Sequence, residues 1–312
     1  MKPLKNVKAL RAIFVAATLV SCICLLLFSA NRSGALARAT QGEHALVVLA
    51  VSNDSQSGMA EVSLDPVVIV EQGRFTDPRM DDNAEAQDRF AQKYLQAGLK
   101  YYLTFGGASV GAVTIKSSNR GCNAVSASGS VQADAAVQGR IHGQLKGLAV
   151  NYIARASATI TRRTPTPAER TAAINIAKTT FQQHGAVAES LAKLDVINLT
   201  AIDADGDGKS EMVGSFSVPF RTSGIKRYLF LILEPEGANF KTGIANYQFY
   251  NTPETATYES GKELLIDYLD MDGDGVGEIV SGGSGYDAYG YTIYQKKNGQ
   301  WKNVYSGGGD AC

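Results

Sequence analysis

Two acidic loops, 67 positions apart, constrain this 312-residue chain more than any other feature in it. The first runs Asp203-Ala204-Asp205-Gly206-Asp207-Gly208-Lys209-Ser210-Glu211, and the second Asp270-Met271-Asp272-Gly273-Asp274-Gly275-Val276-Gly277-Glu278. Every carboxylate of one loop has a counterpart in the other, and self-similarity at a fixed spacing marks tandem structural units. Carboxylates crowded this closely repel one another unless a cation neutralises them. Asp at loop positions 1, 3 and 5 can curl around one ion, and Gly at position 6 permits the sharp turn this needs. The carbonyl at position 7 (Lys209, Val276) adds an oxygen, and the glutamate at position 9 (Glu211, Glu278) closes the shell. Such an all-oxygen set suits Ca²⁺, which takes six to eight oxygens at about 2.3–2.6 Å, better than Mg²⁺, which demands a tighter octahedron and keeps its waters. No Cys or His stands nearby, so zinc and copper are poor candidates. The competing reading is a pair of solvated Asp-Gly turns without metal. If ions bind, they act either as structural staples or as a switch.

The flanks decide which kind of loop this is. An EF-hand needs helices on both sides and a glutamate at position 12, where Gly214 and Ser281 stand. The flanks are β-type instead: Val196, Ile197, Leu199 and Ile202 before the first loop, Met212 and Val213 after it. Strands are predicted at 194–202, 212–220, 228–233 and 244–250, and again at 264–269, 278–281, 290–297 and 301–306. Residues 190–312 thus resemble the FG-GAP/VCBS family, the repeats of integrin α-type propellers and many bacterial surface proteins. Its D-x-[DN]-x-D-G-x-x-[DE] loop, followed by apolar residues and Gly, is what stands here. The resemblance implies four-stranded antiparallel units and two Ca²⁺ ions, one carried by Asp203, Asp205, Asp207 and Glu211, the other by Asp270, Asp272, Asp274 and Glu278. The Phe-Gly and Gly-Ala-Pro signatures that name the family are missing, and two loops fall short of the four or so blades that close a propeller. The expectation is therefore two stacked β units, or a β-sandwich, whose open end is covered by the first domain or by another molecule.

Residues 1–37 contain no Asp or Glu, and Lys2, Lys5, Lys8 and Arg11 precede an uncharged apolar run at 12–30. A basic start followed by such a run directs a chain across a membrane. Three fates compete: cleavage after Ala35-Leu36-Ala37, retention of 12–30 as a membrane anchor, or lipidation at Cys22 within Leu19-Val20-Ser21-Cys22. All three place residues 38–312 outside the cytoplasm, in the envelope, periplasm or medium. There Cys122 and Cys312 are either paired with each other, unpaired, or bonded to another molecule. Formal net charge is zero, which excludes a broadly basic nucleic-acid binder.

Between leader and repeats, residues 41–160 read as an α+β domain: strands at 44–51 and 66–71, an amphipathic helix at 81–98, a hairpin of 99–105 and 109–116 around Gly106-Gly107, and strand character at 147–161. A proline-containing linker and helix follow at 161–189, with Pro167 in the first turn and a stop at Gly185. Tyr286, Tyr289, Tyr291, Tyr294, Trp301 and Tyr305 are expected to pack within the last strands. Gly282-Gly283-Ser284-Gly285 is not a nucleophile elbow, since Tyr286 replaces the required last Gly. Asp267 and Asp287 are read as solvated or supporting carboxylates, and His142 as a lone surface histidine. No catalytic motif stands out. The export segment and the FG-GAP-like calcium units together lead to the expectation of a binding or structural role at the cell surface (adhesion, assembly or scaffolding), with a surface protein or glycan as partner. The rival is an envelope hydrolase with its active site in 41–160.

Overall fold

The computed structural model describes residues 45–53, 61–79, 83–133, 137, 145–153, 159–220, 225–237, 239–250, 261–285 and 288–311. The chain divides into two units, Met1–Ala45 and Leu46–Cys312. The leader segment, Asp81-Asp82, His142, Tyr286, Asp287 and Cys312 lie outside the described residues. No described helix is long and apolar enough to cross a membrane.

The second unit begins with seven antiparallel strands: β1 (Leu46–Ser52), β2 (Val62–Glu71), β3 (Arg74–Thr76), β4 (Lys100–Phe105), β5 (Ala108–Arg120), β6 (Val125–Ala133) and β7 (Lys146–Val150). β1 pairs with both β7 and β2, so the order β1-β7-β4-β5-β6-β2 closes on itself as a six-stranded barrel, with β3 appended to β2. Closure leaves no free edge in the ring. β1 is apolar on both faces because both are buried. Val47, Leu49 and Val51 point into the barrel, while Leu46, Val48 and Ala50 point out against a neighbouring sheet. Helix α1 (Ala84–Tyr94) starts at Asn83, whose side chain accepts the Ala86 N–H at 3.0 Å. Its Phe90, with Leu95, joins the barrel core. The first region is thus a β-barrel carrying one described helix, more β-rich than an evenly mixed α+β domain.

Two four-stranded meanders follow. Sheet II comprises β8 (Asp195–Ile202), β9 (Glu211–Pro219), β10 (Lys226–Glu236) and β11 (Asn239–Phe249); sheet III comprises β12 (Glu263–Leu269), β13 (Glu278–Ser284), β14 (Ala288–Lys297) and β15 (Gln300–Ala311). Helix α2 (Pro167–Gln183) is set by a reciprocal cap: Thr166 N–H donates to Glu169 Oε2 at 2.7 Å, and Glu169 N–H to Thr166 Oγ1 at 3.3 Å. A short helix α3 (Ala188–Ala192) follows.

Three cores stack these parts. Ala173, Ala177 and Phe181 of α2 pack on Phe216, Leu229 and Leu231 of sheet II. The other face of sheet II, with Val213, Phe230 and Ile232, meets Leu265, Ile279, Tyr294 and Trp301 of sheet III. Phe230 and Tyr294 stack across that interface at 5.6 Å between centroids, a geometry worth about 1 kcal/mol beyond burial. The far face of sheet III, with Val280, Tyr291 and Ile293, packs on the outside of β1, β2 and β7. The open face of the second meander is therefore covered by the barrel and that of the first by α2, which is why neither needs further blades. Tyr291, Tyr294, Trp301 and Tyr305 are buried in these layers, and Tyr289 stays 41% exposed.

Cys122 is disulfide-bonded. Beside it, Asp310 accepts the N–H groups of Cys122 and Asn123 at 3.0 and 2.7 Å, and Asn123 Nδ2 donates to the Ala311 carbonyl at 2.8 Å. The end of β15 is thus fastened to the β5–β6 turn. Non-reducing peptide mapping should recover a fragment joining Cys122 to Cys312; a Cys122 peptide linked to anything else would refute that pairing.

Candidate metal centres

Each acidic loop closes the first hairpin of its sheet, between β8 and β9 and between β12 and β13. The two are built alike. In each, the position 9 glutamate accepts the N–H at position 2: Ala204 to Glu211 Oε2 at 3.0 Å, Met271 to Glu278 Oε2 at 2.7 Å. The first aspartate accepts the N–H at position 6: Gly208 to Asp203 Oδ2 at 3.1 Å, Gly275 to Asp270 Oδ2 at 3.0 Å. Gly208 and Gly275 have φ of 81° and 97°, and at Gly208 open space lies where a Cβ would stand. Backbone conformation, not crowding, demands glycine there.

The folding brings Asp203, Asp205 and Glu211 together, and likewise Asp270, Asp272 and Glu278, with one oxygen from each residue of a triad within 4.8 Å of the others. Asp207 and Asp274 stand outside these triads, more exposed, and accept the N–H groups of Lys209 and Val276 at 2.7 and 2.8 Å. The glutamates are 1% and 0% exposed. Burial, with Asp205 nearby, pushes the Glu211 carboxyl up to about 7. Burial, with Asp272 and Asp270 nearby, pushes Glu278 up to about 8. Burial raises Asp270 too. These sites hold more negative charge than their own hydrogen bonds settle. One oxygen, Asp203 Oδ1, is buried without any hydrogen-bond partner. A hard divalent cation fits such a donor set. The geometry establishes two acidic triads able to hold a metal ion; the metal's identity is a separate matter.

The loops are neighbours. Gly277 N–H donates to the Ala204 carbonyl at 2.7 Å, joining one loop to the other. They differ in one respect that the sequence did not reveal, and it comes from consecutive residues of β14. Gln295 Nε2 donates to Asp272 Oδ2 at 2.6 Å and Glu278 Oε1 at 2.9 Å in the second loop. Lys296 reaches instead to the first loop, its ammonium 2.9 Å from Asp205 Oδ2, 3.9 Å from Glu211 Oε1 and 3.7 Å from Glu234 Oε1. The first triad therefore has an internal cation, and the second has a neutral amide.

Sheet III also holds two buried carboxylates outside the loops. Glu263 accepts from Ser281 Oγ at 2.5 Å, Tyr294 Oη at 2.7 Å and Asn246 Nδ2 at 2.7 Å. Asp267, expected to be solvated or supporting, is completely buried and accepts the Gly106 N–H at 2.8 and 3.0 Å, with Arg162 at 3.6 Å. It ties sheet III to the β4–β5 turn of the barrel. No family model matches this chain, and neither a curated protein nor a solved structure similar to it was found.

Proposed function

We propose that this chain is an extracytoplasmic calcium-binding protein with a binding or structural role, in which two Ca²⁺ ions staple FG-GAP-like β units. The observation that carries this reading is the pair of equivalent acidic triads, each with a buried glutamate, at the same hairpin of two successive meanders. Their side-by-side placement gives the ions a task. Neutralising both loops removes the repulsion at the joint where sheets II and III meet, and an ion bound only by the folded loops stabilises the fold. The basic-then-apolar leader at 1–37 supports export, into surroundings where calcium is plentiful. The role we assign is adhesion, assembly or scaffolding on such a stapled β scaffold, with a surface protein or glycan as partner.

Metal analysis of the full-length protein dialysed against calcium should return two ions per chain. Asp205→Ala and Asp272→Ala should each lose one; unchanged stoichiometry in both would refute the assignment. The loops should also differ in affinity. Lys296 competes with an ion for Asp205 and Glu211, so the first loop is the weaker site. Lys296→Met should tighten that site by roughly tenfold or more while leaving the second unchanged. Equal affinities in the parent protein would contradict this asymmetry.

A further inference from the structure

Arg227 interrupts an apolar row. On β10 it precedes Leu229, Leu231 and Leu233 at alternate positions, the face of sheet II that packs on α2. Its side chain is buried there, with the residue only 8% exposed. In register it lies beside Val218 of β9 and Phe249 of β11. The Phe220 and Phe249 ring centroids stand 4.8 and 5.1 Å from the guanidinium carbon, and Nη1 donates to the carbonyl of His184, the C-cap of α2, at 3.2 Å. These contacts hold the guanidinium in place, and the helix end offsets part of its charge. They leave one edge unused. Nε is buried without a hydrogen-bond partner, and Nη2 makes no hydrogen bond to a described residue. No carboxylate of the described residues forms an ion pair with Arg227. A cation buried this deeply is costly until an anion meets it. Nε–H and Nη2–H project side by side, the edge of a guanidinium that matches the two oxygens of a carboxylate.

Arg227 lines a cleft of about 410 Å³, within the range of sites that hold small organic ligands. Ala186, Val187, Pro219 and Phe220 give the cleft apolar walls, and Val187 leaves an aliphatic surface 63% exposed. The lining also carries Glu189 and Lys193. Both are mostly exposed and pair with each other at 3.8 Å, so their charges cancel. The net charge of the lining is that of Arg227. One cation among apolar walls suits a monoanion with an apolar body better than sulfate or phosphate, whose further charge would go unpaired.

We infer that this cleft binds a small free monocarboxylate with a compact apolar body, its two oxygens on Nε and Nη2 of Arg227 and its body against Val187 and Pro219. The inference stands apart from the ion loops and does not depend on them.

Calorimetric titration of the full-length protein in detergent, at fixed calcium, tests it with isocaproate as the probe. Isocaproate should bind, and its neutral amide, acetate and sulfate should each bind at least roughly tenfold more weakly. Arg227→Gln should weaken isocaproate by about tenfold or more. Val187 is the N-cap of α3 and makes no side-chain cap there. Val187→Asp therefore adds a like charge on the exposed wall at a position that favours aspartate. It should weaken isocaproate by roughly tenfold without lowering the melting temperature. Should Arg227→Gln fold poorly, Val187→Asp decides alone. Absence of isocaproate binding, or affinity unchanged in Val187→Asp, would overturn the site. The amide or sulfate binding as tightly as isocaproate would overturn the carboxylate assignment, and acetate doing so would overturn the apolar body. N-acetyl-leucine binding more tightly than isocaproate would overturn the free acid in favour of a chain's C-terminal carboxylate.

Discussion

Stripping calcium with a chelator is expected to destabilise the protein by about 5 kcal/mol, the combined effect of two sites each held at a hundredfold excess over its dissociation constant. For a unit of this size that corresponds to a fall of roughly 10–20 °C in melting temperature. The physical source is local. Without a cation, Asp203, Asp205 and Glu211 face one another, as do Asp270, Asp272 and Glu278, in loops joined by the Gly277–Ala204 hydrogen bond at the seam of two sheets. The ion-free molecule must hold the buried glutamates partly protonated or tolerate their charge. Asp272→Ala should leave about half of the calcium-dependent shift. Superimposable melting curves with calcium and with chelator would show that no ion stabilises the fold.

The second large effect is expected at Asp267. Replacement by Ala leaves the Gly106 N–H without its acceptor and Arg162, only 17% exposed in its side chain, without its counter-charge. Breaking a buried pair from one side costs about 3–5 kcal/mol. Asp267→Asn keeps an oxygen for Gly106 and should cost clearly less. The two variants also separate in pH. Complete burial pushes the Asp267 carboxyl up to about 7, against an ordinary value of 3.8, despite the Arg162 cation. The folded state thus holds this proton more tightly than the unfolded chain. Its contribution to stability is fully present below about pH 4 and is lost as pH rises to about 7. Denaturant unfolding across pH 4–8 should show Asp267→Asn gaining on the parent protein as pH rises. A difference independent of pH would mean that Asp267 is ionised throughout.

The second half of the chain was legible because its signals are local. Asp-Gly loops, strand lengths and turn spacing all fall within a few residues of one another, and β8 to β15 occur in the predicted order, though β11 (Asn239–Phe249) begins earlier and β15 (Gln300–Ala311) runs further than those patterns place them. The covering of the open meander faces followed from counting two loops where a propeller needs more. The barrel was harder to read. β6, with the sequence Val-Ser-Ala-Ser-Gly-Ser-Val-Gln-Ala, carries few large apolar groups, and its pairing with β5 and β2 supplies the order that its composition does not. Closure depends on β1 meeting β7 about a hundred residues later, which no local pattern announces. Asp267 could be read only as a solvated or supporting carboxylate, because its acceptor role depends on Gly106, 161 positions away. The same distance effect hid Lys296, an ordinary strand lysine in sequence, whose ammonium lies in the other sheet's loop. Carboxylate count and spacing singled out both loops, but counted Asp207 and Asp274 as ligands although they stand outside the triads. The asymmetry between them arises only when β14 is set against both loops.

Calorimetric titration of the full-length protein with calcium decides whether the two loops hold ions. Two ions per chain are expected, one bound more tightly than the other, with Asp272→Ala abolishing the tighter event and Asp205→Ala the weaker. A titration with no binding heat at any calcium concentration, confirmed by metal-free protein after dialysis, would reduce both loops to ordinary Asp-Gly turns.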